Sequence, residues 1–159
     1  MEYKNARTLI AAISSHFLPF RNLNAKRLLG IAFLCDWKHC IEFGTPITEC
    51  DWAIVGNWVD SEEFLYSLFT CENPTFETIE LSACPVMVDV VKYPYQPGSS
   101  QDIVCKHVFT SLEKRTDFDL DKIILSTFPF NSSGPIDMAQ LSKEYATRFG
   151  RQYASKMIA

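Results

Sequence analysis

The run from Asn24 to Phe43 constrains this chain more than any other stretch. It contains Leu28, Leu29, Ile31, Ala32, Phe33, Leu34, Cys35, Trp37, Cys40, Ile41 and Phe43. Wound as a helix, it is apolar on nearly every side, and such a helix must be central and largely buried. Its ends are punctuated. Asn22 or Asn24 supplies a short side-chain oxygen that can accept from exposed N–H groups at the start. Gly44 can take the left-handed conformation that closes a helix, and Pro46 prevents continuation. Lys38 and Glu42, four residues apart, mark the wet side. No apolar run approaches the ~20 residues needed to span a bilayer; the longest, Leu28 to Cys35, ends at Asp36.

The remaining segments follow the same logic. Leu9, Ile10, Ile13 and Phe17 share a face at spacings of three and four, which predicts an amphipathic helix from Ala6 to Phe17 stopped by Pro19. Ile47 to Trp58 alternates imperfectly and reads as extended or as a short strand. Asp60 or Ser61 then caps a short helix that turns Phe64, Leu65 and Leu68 inward. Thr75 to Tyr95 is rich in β-branched and aromatic residues and predicts a small antiparallel pair, interrupted at Pro85. Ser99 or Ser100 starts another helix, with Ile103, Val104, His107, Val108, Ser111 and Leu112 as its face. A further helix, Leu120 to Thr127, follows the acidic turn Asp117-Phe118-Asp119. Asn131 to Pro135 reads as a loop. Ile136 to Met157 reads as a helix with Asp137 favourably placed near its start. The expected fold is mainly α with a small antiparallel β element (α+β), one domain over residues 1–159 around the central helix.

Charge and cysteine usage narrow the function classes. The net charge of −4 opposes non-specific binding to a phosphate backbone, so nucleic acid is an unlikely partner. The six cysteines, Cys35, Cys40, Cys50, Cys71, Cys84 and Cys105, include no Cys-x-x-Cys pair. The opening residues do not read as a signal peptide, so the expected setting is cytoplasmic, with reduced thiols and no membrane partner.

Little of the sequence suggests chemistry. His39 and Asp36 lie three apart and share a helical face, so a carboxylate could orient an imidazole as a general base requires. The favoured alternative is a buried polar pair that fixes helix packing. No second cluster completes a metal site, and no phosphate-binding loop or nucleophile elbow is present. Neither an enzyme nor a cofactor is expected. Asp117, Asp119 and Asp121 lack the glycine of a calcium loop and read as a solvated helix start. Trp52 and Trp58 are large aromatics flanked by Asp51, Asn57 and Asp60, a composition that suits a binding hot spot as well as packing over the central helix.

The stretch from Asn24 through the Gly44-Thr45-Pro46-Ile47 turn resembles the Panacea, or SocA-like, antitoxin domain family. Leu28, Leu29, Phe33, Asp36, His39, Gly44, Pro46 and Ile47 occupy the matching positions. Leu125 to Phe130, Ile136-Asp137 and Leu141 to Tyr145 resemble its closing region. Where the family has Tyr-Gly-Pro, this chain has Val55-Gly56-Asn57, keeping Gly56 alone. The resemblance implies a mainly helical antitoxin that neutralises a cognate toxin by direct contact. Some relatives instead act as adaptors that deliver a toxin to a protease, so a protease or chaperone is a further expected partner. The expected contact residues are Asp36, Asp51, Trp52, Asn57, Trp58 and Asp60. The alternatives are a proteolytic adaptor or regulatory interaction module, and, less favoured, an enzyme using His39.

Overall fold

The computed structural model describes residues 3–19, 23–70, 76–78, 85–87, 92–131 and 134–158. The central helix, α2 (Ala25–Phe43), forms where the sequence places it. The Asn24 side chain accepts from the Arg27 N–H at the N-cap, and Gly44, at φ 83°, closes the C-terminus. Its buried residues include Leu28, Leu29, Phe33, Asp36 and His39.

Around it pack α1 (Lys4–Phe17), α3 (Glu62–Thr70), α4 (Ser100–Leu112), α5 (Asp117–Leu125) and α6 (Met138–Ile158). The starts of α3, α4, α5 and α6 each have a local cause. Ser61 Oγ accepts from Phe64 N in front of α3. Ser99, Thr116 and Asp137 accept from Asp102 N, Asp119 N and Gln140 N at the starts of α4, α5 and α6. One hydrophobic core runs through these helices, with Phe17, Phe33, Phe64 and Phe109 among its fully buried side chains.

A three-stranded antiparallel sheet lies against this bundle in the order β2 (Trp58–Asp60), β1 (Trp52–Val55), β5 (Gly134–Ile136). Val55 pairs with Trp58 across a two-residue Gly56-Asn57 turn, and Gly56 has φ 65°. A positive φ at the first turn position matches the twist of a tight hairpin and favours glycine there. A second pair, β3 (Phe76–Thr78) with β4 (Pro85–Met87), is also antiparallel.

Pro85 is the first residue of β4, where it pairs with Thr78. Several expectations need correction. The turn at 117–119 is the first turn of α5, because Thr116 caps it. Gly134 and Pro135, expected as loop, and Ile136, expected to open the last helix, instead form β5 and pair with β1. In α4 the inward face is Asp102, Val104, Cys105, Val108, Phe109 and Leu112, while Ile103 and Ser111 are exposed. The inward face is therefore rotated from the expected one, because Asp102 is buried among hydrogen-bond donors and a polar residue hides an inward position. The expected strand residues at 79–84 and 88–91 lie outside the described residues, as do Cys71 and Cys84.

Candidate functional site

Asp36 organises the turn after α2. Its Oδ1 accepts from the N–H groups of Ile47 and Thr48, each at 2.9 Å. Its Oδ2 accepts from Thr48 Oγ1 and from Trp52 Nε1, the latter at 2.8 Å. Burial raises this carboxyl above its ordinary pKa, and the four donors pull it partly back. Gly44 reverses the chain, and Pro46 and Ile47 bring it back along α2, so that the Ile47 and Thr48 N–H groups face the aspartate.

Two of the expected contact residues are therefore placed wrongly. Asp36 is 0% exposed and Trp52 2% exposed, so neither offers a surface to a partner. Four donors occupy the Asp36 carboxylate, and the Trp52 ring packs edge-on against Phe33 at 5.8 Å between centroids. Nor do Asp36 and His39 pair. His39 Nδ1 donates to the Thr45 carbonyl, and its Nε2 lies 2.9 Å from Ser100 Oγ. Three residues along a helix turn the two side chains towards different neighbours.

Trp58 is half-buried. Its Nε1 donates to the Lys26 carbonyl at 3.2 Å, and its ring covers Gly30. The Lys26 ammonium lies 4.7 Å from the ring centroid. Asp51, Gly56 and Asn57 are exposed and Asp60 is half-buried. Val55 at the hairpin turn is 61% exposed.

Of the remaining contact candidates Asp51 alone lines a cleft, while Asn57 lies in the hairpin turn at the other end of β1. A cleft of about 390 Å³ opens between Pro46, Cys50, Asp51 and Trp52 on one wall and Ile136, Asp137, Met138 and Ala139 on the other. Strand register builds it. The ladder ends where Trp52 pairs with Ile136, and Asp51 and Asp137, the next residue beyond each, both line the cleft. Both are exposed. Asp51 N also donates to Glu63 Oε1 at 2.6 Å, which draws a third carboxylate to this edge. Like charges gathered on one rim repel one another, so a cation brought to this rim relieves repulsion. Sequence reasoning used Asp137 only as a helix-dipole residue and missed Glu63; the signal for both lies in the pairing of β1 with β5.

The thiols do not contribute reactive groups here. Cys35, Cys40, Cys50 and Cys105 are free and buried. Burial pushes Cys40 and Cys50 up to about 12, and Cys35 well up, so they stay protonated at neutral pH. Among the described residues no three His, Cys, Asp or Glu side chains converge as a metal site. No helix among them is long and apolar enough to cross a membrane.

No protein-family profile, curated protein or solved structure matches the chain.

Proposed function

We propose that this chain is an antitoxin-like binding protein that neutralises a cognate toxin by direct contact. The face used is the acidic cleft at one end of β1 and the hairpin turn at its other end. The observation that carries the reading is the placement of exposed Asp51 and Asp137 on a cleft at one end of β1, with a tight turn that displays Val55 and Asn57 at its other end. A Lys or Arg side chain of the partner enters the cleft, where it meets both carboxylates. The hairpin turn supplies apolar and amide contacts. The resemblance of Asn24 to Ile47 to the Panacea family supports the same reading, with its residues forming the scaffold behind this face. Leu28, Leu29, Phe33 and Ile47 are core, His39 and Asp36 hold the turn, and Gly44 and Pro46 shape it.

The test is co-expression in bacteria with the product of the neighbouring gene. The wild-type chain restores growth, and a variant carrying Asp51→Lys and Asp137→Asn does not, although it melts near the wild-type temperature. The asparagine keeps the α6 cap. A harmless neighbour, persistent toxicity beside stable wild-type protein, or full rescue by the double variant overturns the proposal. Rescue accompanied by a shortened partner half-life replaces occlusion with delivery to a protease.

A further inference from the structure

The turn that Asp36 holds also fixes the state of His39. The Thr45 carbonyl can only accept, so Nδ1 carries the proton of that hydrogen bond. In the neutral imidazole Nε2 is then a lone-pair acceptor, and Ser100 Oγ stands 2.9 Å from it. The other acceptor near this hydroxyl, Gln101 Oε1, is farther away at 3.4 Å. The imidazole is shielded at 5% exposure, whereas Ser100 is half-buried. A hydroxyl, a base and a group that orients the base therefore stand in one line, the arrangement that activates an oxygen nucleophile.

The surroundings complete a site. Ser100 is the first residue of α4, where N–H groups are left free by the helix itself. Ser99 takes the Asp102 N–H on its side chain and the Ile103 N–H on its carbonyl. The N–H groups of Ser100 and Gln101 have no acceptor among the described residues, and they belong to the same first turn of α4 as the hydroxyl. Donors so placed can receive the charge of a tetrahedral intermediate. The Phe43 ring, 43% exposed, lies against His39 with centroids 4.9 Å apart and offers an apolar wall.

The geometry points to Ser100 as a nucleophile and His39 as its general base, acting on small carboxylic esters with an apolar acyl group. Ser100 Oγ attacks the carbonyl carbon while its proton passes to His39 Nε2. The bond from carbon to the alkoxide then breaks, and the alkoxide leaves with that proton as an alcohol. Water next gives a proton to Nε2 and adds to the acyl carbon. Ser100 Oγ departs and takes the proton back, so ester and water yield acid and alcohol. This activity is independent of the partner face, because it uses neither Asp51 nor Asp137.

The experiment treats the purified chain with a fluorophosphonate probe and with p-nitrophenyl butyrate, and reads intact mass, the labelled peptide and released nitrophenolate. One adduct per chain on Ser100 is expected. Labelling and ester cleavage fall about 100-fold or more in His39→Gln and vanish in Ser100→Ala, with thermal melts confirming folded variants. Ser100→Cys provides a second route should Ser100→Ala or His39→Gln unfold. Its thiol at position 100 should be alkylated by iodoacetamide faster than the buried native cysteines. Labelling at another residue, equal rates in a folded His39→Gln, or no reaction at position 100 in both wild type and Ser100→Cys overturns the proposal.

Discussion

Trp52 Nε1 donates to the Asp36 carboxylate at 2.8 Å, and this bond fastens the first strand to the middle of the central helix. Asp36→Ala removes the acceptor for Trp52 Nε1, Thr48 Oγ1 and two backbone N–H groups at once. Each buried donor left unmade costs about 1–3 kcal/mol, so a loss of roughly 3 kcal/mol or more is expected even after relaxation. Asp36→Asn keeps one oxygen and costs less. Urea unfolding followed by tryptophan fluorescence measures both, and a loss below about 1 kcal/mol for the alanine variant would show that these bonds do not hold the turn.

Two buried aspartates titrate in opposite senses. Burial raises Asp36 in the folded state above its ordinary value, so the folded chain binds a proton before the unfolded chain does as pH falls. Its contribution is fully present below the unfolded pKa and is lost as pH rises through the folded one. Burial also acts to raise Asp102. However, the Tyr93 hydroxyl at 2.7 Å, the Gly98 N–H at 2.8 Å and Lys106 outweigh it, and its pKa falls. That contribution is present above the unfolded value and is lost as pH falls through the lowered one. Acid titration of stability should therefore show Asp102→Asn flattening the acid-side loss, and Asp36→Asn removing a gain that wild type makes on acidification. The same slope in both variants would contradict this assignment.

Gly30 is a point of close approach between α2 and its neighbours. A Cβ at this position would lie 2.5 Å from Ile124 Cδ1 and 2.9 Å from Trp58 Cζ2. Helix propensity favours alanine over glycine, but the indole and the α5 side chain have to move to admit it. Gly30→Ala should destabilise by about 1–3 kcal/mol and shift Trp58 emission towards that of an exposed indole. A stabilised variant with unchanged emission would mean that both side chains yield freely.

The central helix was legible because its signals are local: Asn24 caps it, Gly44 ends it, and the apolar run between them leaves no wet face broad enough for the surface. The candidate site was less legible because its parts come from distant segments. Asp51 and Asp137 reach one cleft only through the pairing of Trp52 with Ile136, and three residues containing Gly134 and Pro135 carry little strand pattern of their own. Asp36 and Trp52 were read as contacts because polar and aromatic side chains beside a turn suit a surface, whereas here they satisfy one another in the core. Arg27 was passed over for a related reason. It is 7% exposed and bonds Asp121 Oδ1 at 2.8 Å, a partner ninety-four residues away.

That Arg27 pair yields an asymmetric prediction. Asp121→Ala leaves a guanidinium at 9% side-chain exposure without its closest carboxylate, whereas Arg27→Met replaces the cation with an apolar chain of similar length. Removing one partner of a shielded pair costs more than replacing the shielded charge with hydrophobic volume. Asp121→Ala should therefore cost about 1–3 kcal/mol, and Arg27→Met should cost less. The reverse order in chemical denaturation would place the energy in the arginine stem's packing rather than in its charge.

The acidic cleft and the hairpin turn should separate kinetically in a complex with the partner. Asp51 and Asp137 are exposed, so their field acts on encounter and is screened by salt within about 8–10 Å at physiological ionic strength. Asp51→Asn with Asp137→Asn should lower the association rate by about tenfold at low salt and reduce its salt dependence, leaving dissociation nearly unchanged. Val55 is 61% exposed, and on the proposed binding role its apolar area is buried only after encounter. Val55→Ser should instead speed dissociation and leave association alone. Surface plasmon resonance across a salt series resolves the two effects. If the aspartate variants changed only dissociation, the carboxylates would be desolvated contacts at the centre of the interface rather than a steering rim.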